Sequence, residues 1–141
     1  MEITKVRWKK LHPEAKAPIH ATHEAACFDF YAIENTILNP GEVHMVATGV
    51  SMEVPKGYGL QIWDRSGLGA KGIHRFAGIV DSDYRNEIKV VLFNSTKNNY
   101  EIKKGERIGQ GMIVPYVKLE FEESEELDQT DRKGGFGTTG K

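Results

Sequence analysis

Between Gly78 and Glu87 the chain reads Gly-Ile-Val-Asp-Ser-Asp-Tyr-Arg-Asn-Glu, gathering carboxylates, a phenol and a guanidinium within a few positions. The β-branched and aromatic run that includes Ile73, Phe76, Ile79 and Val80, and the apolar run Ile88–Phe93, predict a β-hairpin tipped by Asp81, Ser82 and Asp83. Side chains held by two strands are placed more rigidly than those on a free loop, which suits chemistry. The same residue types are equally at home in a solvated turn. A second stretch, Asp64-Arg-Ser-Gly-Leu-Gly-Ala-Lys-Gly72, follows a strand pattern and opens a possible helical turn. Its backbone N–H groups, the Ser66 hydroxyl and the Arg65 fork are the parts needed to hold a phosphate. The spacing of a P-loop is absent. Near the end of the sequence, Arg132, Phe136, Thr138 and Thr139 sit on a glycine-rich backbone. Phosphate-binding glycine loops have this composition, and Phe136 adds a flat face for a base. The plainer reading is a frayed terminus.

Short strands must position these groups. Turn signals at Asn39-Pro40-Gly41, Pro55-Lys56-Gly57 and Lys103-Lys104-Gly105 contribute to a recurrence of about 8–12 residues, the spacing of an all-β sandwich or barrel. The pattern predicts strands at Ile3–Trp8, His44–Val46, Gly49–Val54, Tyr58–Trp63, Ile88–Phe93 and Arg107–Val117. Ser66–Lys71 is the one candidate helix, limited to a turn or two by its glycines. Cys27–Ile33 is aromatic-rich and encloses one acid, Asp29, while Gln110 stands at the start of a strand. Residues 1–119 read as a β-barrel domain and 120–141 as an acidic connector followed by the glycine-rich arm.

The length of 141 residues is ordinary for one domain with a real core. A net charge of −1 gives no reason to expect nucleic-acid binding. With Cys27 as the one cysteine, an intrachain disulfide and a cysteine metal site are excluded. The five histidines, His12, His20, His23, His44 and His74, lack metal-ligand spacing. No stretch approaches the roughly 20 apolar residues of a membrane span. The expectation is a soluble, cytoplasmic protein, with nucleus or organelle left open, and Trp8 and Trp63 are expected in the core or an interface.

Taken in order, the stretches around Asp29, Arg65–Gly67, Gly78–Glu87, Gln110 and Arg132–Thr139 resemble the five motifs of the homotrimeric dUTPase family, the deoxyuridine triphosphate nucleotidohydrolases. The resemblance runs from Ala26 to Gly140. It implies a distorted jelly-roll-like β-barrel of the β-clip type, with at most one short helix and a C-terminal arm. It also implies a homotrimer whose sites combine segments of three chains, with dUTP as substrate and Mg²⁺ as cofactor. Asp81 then resembles the carboxylate that activates the water attacking the α-phosphorus, and Tyr84 the ring that leaves no room for a 2′-hydroxyl. The backbone of Gly78, Ile79 and Val80 would pair with uracil, and Arg65, Ser66, Gly67 and Gln110 would hold phosphates. Asp29 would reach the metal shell through water. Arg132, Phe136, Gly137, Thr138 and Thr139 match the closing arm, with Phe136 stacked on uracil.

The chain departs from the family pattern at several positions. Cys27 and Asn86 stand where glycine is usual, and Asp64 stands where proline usually precedes the arginine. A carboxylate at Asp64 should weaken phosphate binding unless it is turned away. The spacing from Arg132 to Phe136 is one residue short, so Lys133 could substitute in part for Arg132. Two rival readings are a dCTP deaminase, which uses a glutamate where this chain has Val90-Val91-Leu92-Phe93, and a β-barrel binding module that has lost catalysis.

Overall fold

The computed structural model describes residues 4–138. Two four-stranded antiparallel sheets enclose one core. The first contains β1 (Trp8–Lys10), β4 (Val43–Met52), β8 (Ile88–Asn94) and β6 (Ile73–Arg75), in that spatial order. The second contains β2 (Phe28–Tyr31), β10 (Arg107–Pro115), β5 (Tyr58–Trp63) and β7 (Ile79–Val80). A two-stranded ribbon joins β3 (Thr36–Leu38) to β9 (Tyr100–Ile102). The one helix among the described residues, α1 (Ser66–Ala70), is a short piece in which only Leu68 is buried. The fold is all-β and jelly-roll-like, as the turn spacing and the resemblance both imply.

Alternation explains the core. On β8, Ile88, Val90, Leu92 and Asn94 face inward, with period two. They meet Val46 and Val50 of β4, and Phe30, Leu60 and Ile108 come from the opposite sheet. Asn94 is the polar member of that row. Its amide donates to the carbonyls of Leu38 and Asn98, and its oxygen accepts from the N–H and hydroxyl of Thr96. Every polar atom is used, so this buried amide costs little and ties the start of β9 to β8. Gly111 on β10 makes room for side chains of its two neighbouring strands in the same sheet: a Cβ there would lie 2.7 Å from Phe28, 2.8 Å from Phe30 and 2.9 Å from Leu60.

Three expectations change. The first strand is β1 at Trp8–Lys10, later than Ile3–Trp8, and Ile3 lies outside the described residues. Antiparallel pairing of Trp8, Lys9 and Lys10 with Met52, Ser51 and Val50 decides its position. The two segments expected at His44–Val46 and Gly49–Val54 form one strand, β4, which absorbs a register shift between Ala47 and Val50. The hairpin is also absent as drawn. β7 pairs with β5, through Leu60↔Val80 and Gln61↔Ile79, whereas β8 pairs with β4 and β6. The chain leaves β8 after the Phe76 N–H donates to the Val91 carbonyl. It then turns through Ala77 and Gly78, both at positive φ (57° and 112°), and crosses to the other sheet. A β-branched run shows that a segment will be extended, and it leaves open which strand will receive it. Trp8 and Trp63 are half-exposed in the single chain, so neither belongs to its core.

Candidate active site

The candidate side chains fall into three groups on one chain. The first follows β7. Asp81 is exposed, and no hydrogen bond or ion pair among the described residues engages its carboxylate. The segment behind it is tightly held. The Tyr84 N–H donates to the Asp81 carbonyl (3.2 Å), and the Tyr84 hydroxyl donates to the Glu87 carbonyl (2.7 Å). Arg85 donates to the carbonyls of Ser82 and Tyr84, and its own carbonyl accepts from Ser51 Oγ at 2.6 Å. The Glu87 carboxylate accepts from the Gly49 N–H at 2.9 Å. Gly49 has φ of +67° and a Cβ there would lie 2.9 Å from Ala15, so this anchor is a glycine for steric reasons.

The strand that carries this segment is an edge. Among the described residues β7 has β5 on one side and no strand on the other. The Ile62 N–H donates to the Gly78 carbonyl at 2.7 Å, which makes Ile62 and Gly78 a hydrogen-bonded pair. By the alternation of an antiparallel ladder, the N–H and C=O of Ile79 point away from β5. Ile79 is also well exposed. Gly78 supports this approach: with φ of +112°, a Cβ would lie 2.7 Å from the Ile62 carbonyl oxygen.

The second group collects at the far end of β5. Gln110 lies opposite Asp29 on β2 and Trp63 on β5, and its Nε2 donates to the Asp64 carbonyl at 3.0 Å. The nearly buried Asp29 carboxylate stands between two guanidiniums, 3.6 Å from Arg65 Nε and 3.6 Å from Arg107 Nη1. Arg65 is the N-cap residue of α1, followed by the exposed Ser66 and Gly67. The Asp64 carboxylate turns to His74, whose Nδ1 lies 3.1 Å from Oδ2. That answers the expectation attached to Asp64: the carboxylate is engaged elsewhere. Burial, and then the charge of Asp29, push the Cys27 thiol up, so it stays protonated and unreactive at neutral pH.

The third group lies on the C-terminal segment, which contributes nothing to the buried core. Gly135 and Thr138 close a turn on themselves, Thr138 N–H to Gly135 carbonyl (3.1 Å) and Gly135 N–H to Thr138 Oγ1 (2.8 Å). Phe136 and Gly137 occupy the middle of that turn at φ of 52° and 79°. The Phe136 ring is fully exposed. Arg132 Nε donates to the Gly134 carbonyl at 2.9 Å. Thr139 lies outside the described residues.

The fold brings Asp29, Arg65, Ser66, Gly67 and Gln110 together, and separately Gly78, Ile79, Val80, Asp81 and Tyr84. It keeps Asp81 apart from Arg65. Val80 sits opposite Leu60, which places Asp81 beside Gly59, and Arg65 is six residues further along. At the rise of an extended chain that is about 20 Å. Sequence reasoning missed the supporting residues Arg107, Glu87, Ser51 and His74. Each touches its target through tertiary contact, Arg107 across the β10–β2 pair and the others between segments brought together by the fold, and sequence spacing carries no trace of that contact.

The family model described as dUTPase matches residues 13–140. The deoxyuridine 5′-triphosphate nucleotidohydrolase of Nautilia profundicola is 48% identical over 97% of this chain and 99% of its own length. The enzyme of the same name from Helicobacter pylori strain J99 is 39% identical over 96% of this chain and 97% of its own length. Among solved structures, the Staphylococcus bacteriophage 80alpha dUTPase with dUPNHPP superposes with a TM-score of 0.90 at 26% identity, covering 98% of this chain and 99% of that one. With a family model matched over residues 13–140 and a relative 48% identical over nearly its whole length, this protein belongs to the dUTPase family.

Proposed function

We propose that the chain hydrolyses dUTP to dUMP and pyrophosphate by Mg²⁺-assisted attack of water on the α-phosphorus. The observation that carries this reading is the exposed Asp81 carboxylate at the end of an edge strand whose Ile79 peptide groups face outward. An unpaired carboxylate can accept a proton from an attacking water within hydrogen-bond reach. The outward C=O and N–H of Ile79 match the N3–H donor and carbonyl acceptors of uracil. Cytosine presents an acceptor at N3 and would leave the carbonyl unpaired, a mismatch that discriminates strongly. Packing around the same edge would exclude the thymine methyl group. The Tyr84 ring, held through its hydroxyl by the Glu87 carbonyl, would lie under the deoxyribose and exclude a 2′-hydroxyl.

Arg65, the Ser66 hydroxyl, Gly67 and Gln110 would hold the phosphates. Because about 20 Å separates Arg65 from Asp81 on one chain, a single chain cannot bring both to one triphosphate. This supports a homotrimer in which one copy supplies the base-and-sugar edge and another the phosphate cluster. The arm, residues 120–141, would close over a neighbour's site with Phe136 stacked on uracil. Arg132, Lys133, Thr138 and Thr139 would then lie near the γ-phosphate.

Among the described residues no three His, Cys, Asp or Glu side chains converge on a point. That fits Mg²⁺, which keeps several waters and binds largely through substrate phosphates. Asp29 is the acceptor available to a water of that ion, since each of its oxygens has only one guanidinium 3.6 Å away. When bound, the ion would neutralise and arrange the triphosphate charge. The deaminase alternative needs an acid on β8, whose inward side chains there are Val90 and Leu92. No described helix is long and apolar enough to cross a membrane.

The test is pyrophosphate release from dUTP, UTP, dCTP and dTTP with Mg²⁺, comparing wild type with Asp81→Asn. Turnover of dUTP alone, lost in the variant, is expected. Binding of dUTP without turnover in the wild type would move the protein to the binding-module reading.

A further inference from the structure

We propose that His74 is a positioning residue that keeps the Asp64 carboxylate off the triphosphate. The proposal rests on Arg65 and Ser66 holding phosphate as described above. Asp64 immediately precedes Arg65 on the link from β5 to α1. Its main chain is committed to the phosphate cluster, because its carbonyl accepts from Gln110 Nε2 at 3.0 Å. The peptide is therefore fixed, and only the side chain is free to choose a direction. A carboxylate at this place has two harmful options. It can pair with Arg65, which already shares its charge with Asp29 at 3.6 Å, or it can face the phosphates and repel them.

The structure takes a third course. Asp64 Oδ2 lies 3.1 Å from His74 Nδ1. A carboxylate has no hydrogen to give, so Nδ1–H is the donor and the carboxylate the acceptor. On the helix side the carboxylate rests beside Gly69, where a Cβ would lie 3.4 Å from Oδ2, so α1 leaves room for it. The neighbouring pair runs in the same direction: the Arg75 guanidinium lies over the Trp63 ring, 4.5 Å from its centroid. Two consecutive residues leaving β5 are thus matched to two consecutive residues of β6. The simpler alternative is that both pairs merely staple β5 to β6. The two roles differ in one respect. A staple is lost whichever partner is removed, whereas an electrostatic positioning role disappears harmlessly once Asp64 is no longer charged.

The experiment is steady-state hydrolysis of dUTP by the full chain with Mg²⁺, for wild type, His74→Ala, Asp64→Asn and the double variant. Thermal unfolding of each reports the fold. His74→Ala is expected to raise KM for dUTP about tenfold with kcat within about twofold. Asp64→Asn alone should stay near the wild-type KM, and the double variant should return to within about twofold of it. His74→Asn, whose amide can still donate to Asp64, should remain near wild type and covers the case in which His74→Ala does not fold. Competition by dUMP, which lacks the outer phosphates, should change less than about threefold in His74→Ala. The proposal is overturned if Asp64→Asn does not restore KM in the His74→Ala background, or if His74→Ala leaves KM unchanged. It also fails if His74→Asn is as impaired as His74→Ala. A wild type that turns over no dUTP removes the underlying reading instead, and this proposal with it.

Discussion

The segment from Asp81 to Glu87 and the segment from Arg132 to Thr138 are both short, polar and without regular structure, yet they are held in opposite ways. In the first, the bonds reach outward to the body of the protein: Ser51 Oγ to the Arg85 carbonyl, the Gly49 N–H to the Glu87 carboxylate, and Arg85 to Glu53 at 3.9 Å. In the second, every hydrogen bond found stays within the segment. A carboxylate that must meet a water within a few tenths of an ångström needs the first kind of support. A segment that must close over substrate and then release product needs the second, since anchoring it would slow each cycle. The difference is what the proposed roles require, chemistry in the first region and gating in the second.

The comparison can be broken most sharply at Asp81. Asp81→Asn should lower the rate of pyrophosphate release by about 10³-fold while leaving the melting midpoint in place, because the exposed carboxylate has no partner in the fold. A comparable loss of stability would mean that Asp81 is structural. Ending the chain at Asp128 should cost about 10²-fold in kcat/KM, again without a change in melting, since the arm adds nothing to the core. If the truncated protein retained full activity, the gating role would be withdrawn.

Two glycines sharpen the same contrast. Gly78→Ala forces a Cβ to within 2.7 Å of the Ile62 carbonyl oxygen at a positive φ. It should destabilise the protein by about 2 kcal/mol or more in urea titration. Gly135→Ala meets nothing within 4 Å, and its cost should stay below about 0.5 kcal/mol. Glu87→Ala would leave the Gly49 N–H without its acceptor. We expect a loss of about 1–2 kcal/mol in the same titration. A several-fold fall in kcat should accompany it as the Asp81 segment loosens.

The smallest effect concerns Glu53. Its hydrogen bond to Arg7 holds its carboxyl below the ordinary value of 4.5, with the charges of Arg7 and then Arg85 adding to it and desolvation opposing. A carboxyl whose folded pKa lies below its unfolded one stabilises the fold above the unfolded value, and that contribution fades as pH falls through the folded value. Wild type and Glu53→Gln should therefore differ slightly at about pH 6 and converge towards about pH 3. Because the pair is solvent-exposed, the difference should also shrink with added salt.

Much of this organisation is legible in the residues, for a local reason. Tyr58–Trp63 is a strand at the expected positions because alternation and the Pro55-Lys56-Gly57 turn both act over a few residues. Ser66–Ala70 is a single short helix, consistent with the limit its glycines set. The expected hairpin, by contrast, does not form, because Ile79 and Val80 favour extension equally beside β5 or β8. The choice is made by the positive-φ corner at Ala77 and Gly78 and by the burial of Val90 and Leu92. The site follows the same division. Asp29 stands out in sequence as one acid among aromatics, but nothing there places it between Arg65 and Arg107.

By itself the sequence determined that the chain is β-rich, and it displays in order five stretches that resemble the motifs of the dUTPase family. Those properties depend on residue type and on neighbours a few bonds away. The tertiary structure alone decided that Asp81 and Arg65 lie at opposite ends of β5, that Asp64 turns to His74, and that Glu87 anchors the Asp81 segment through Gly49. Strand pairing joins residues tens of positions apart, and it is selected only when the whole core closes at once.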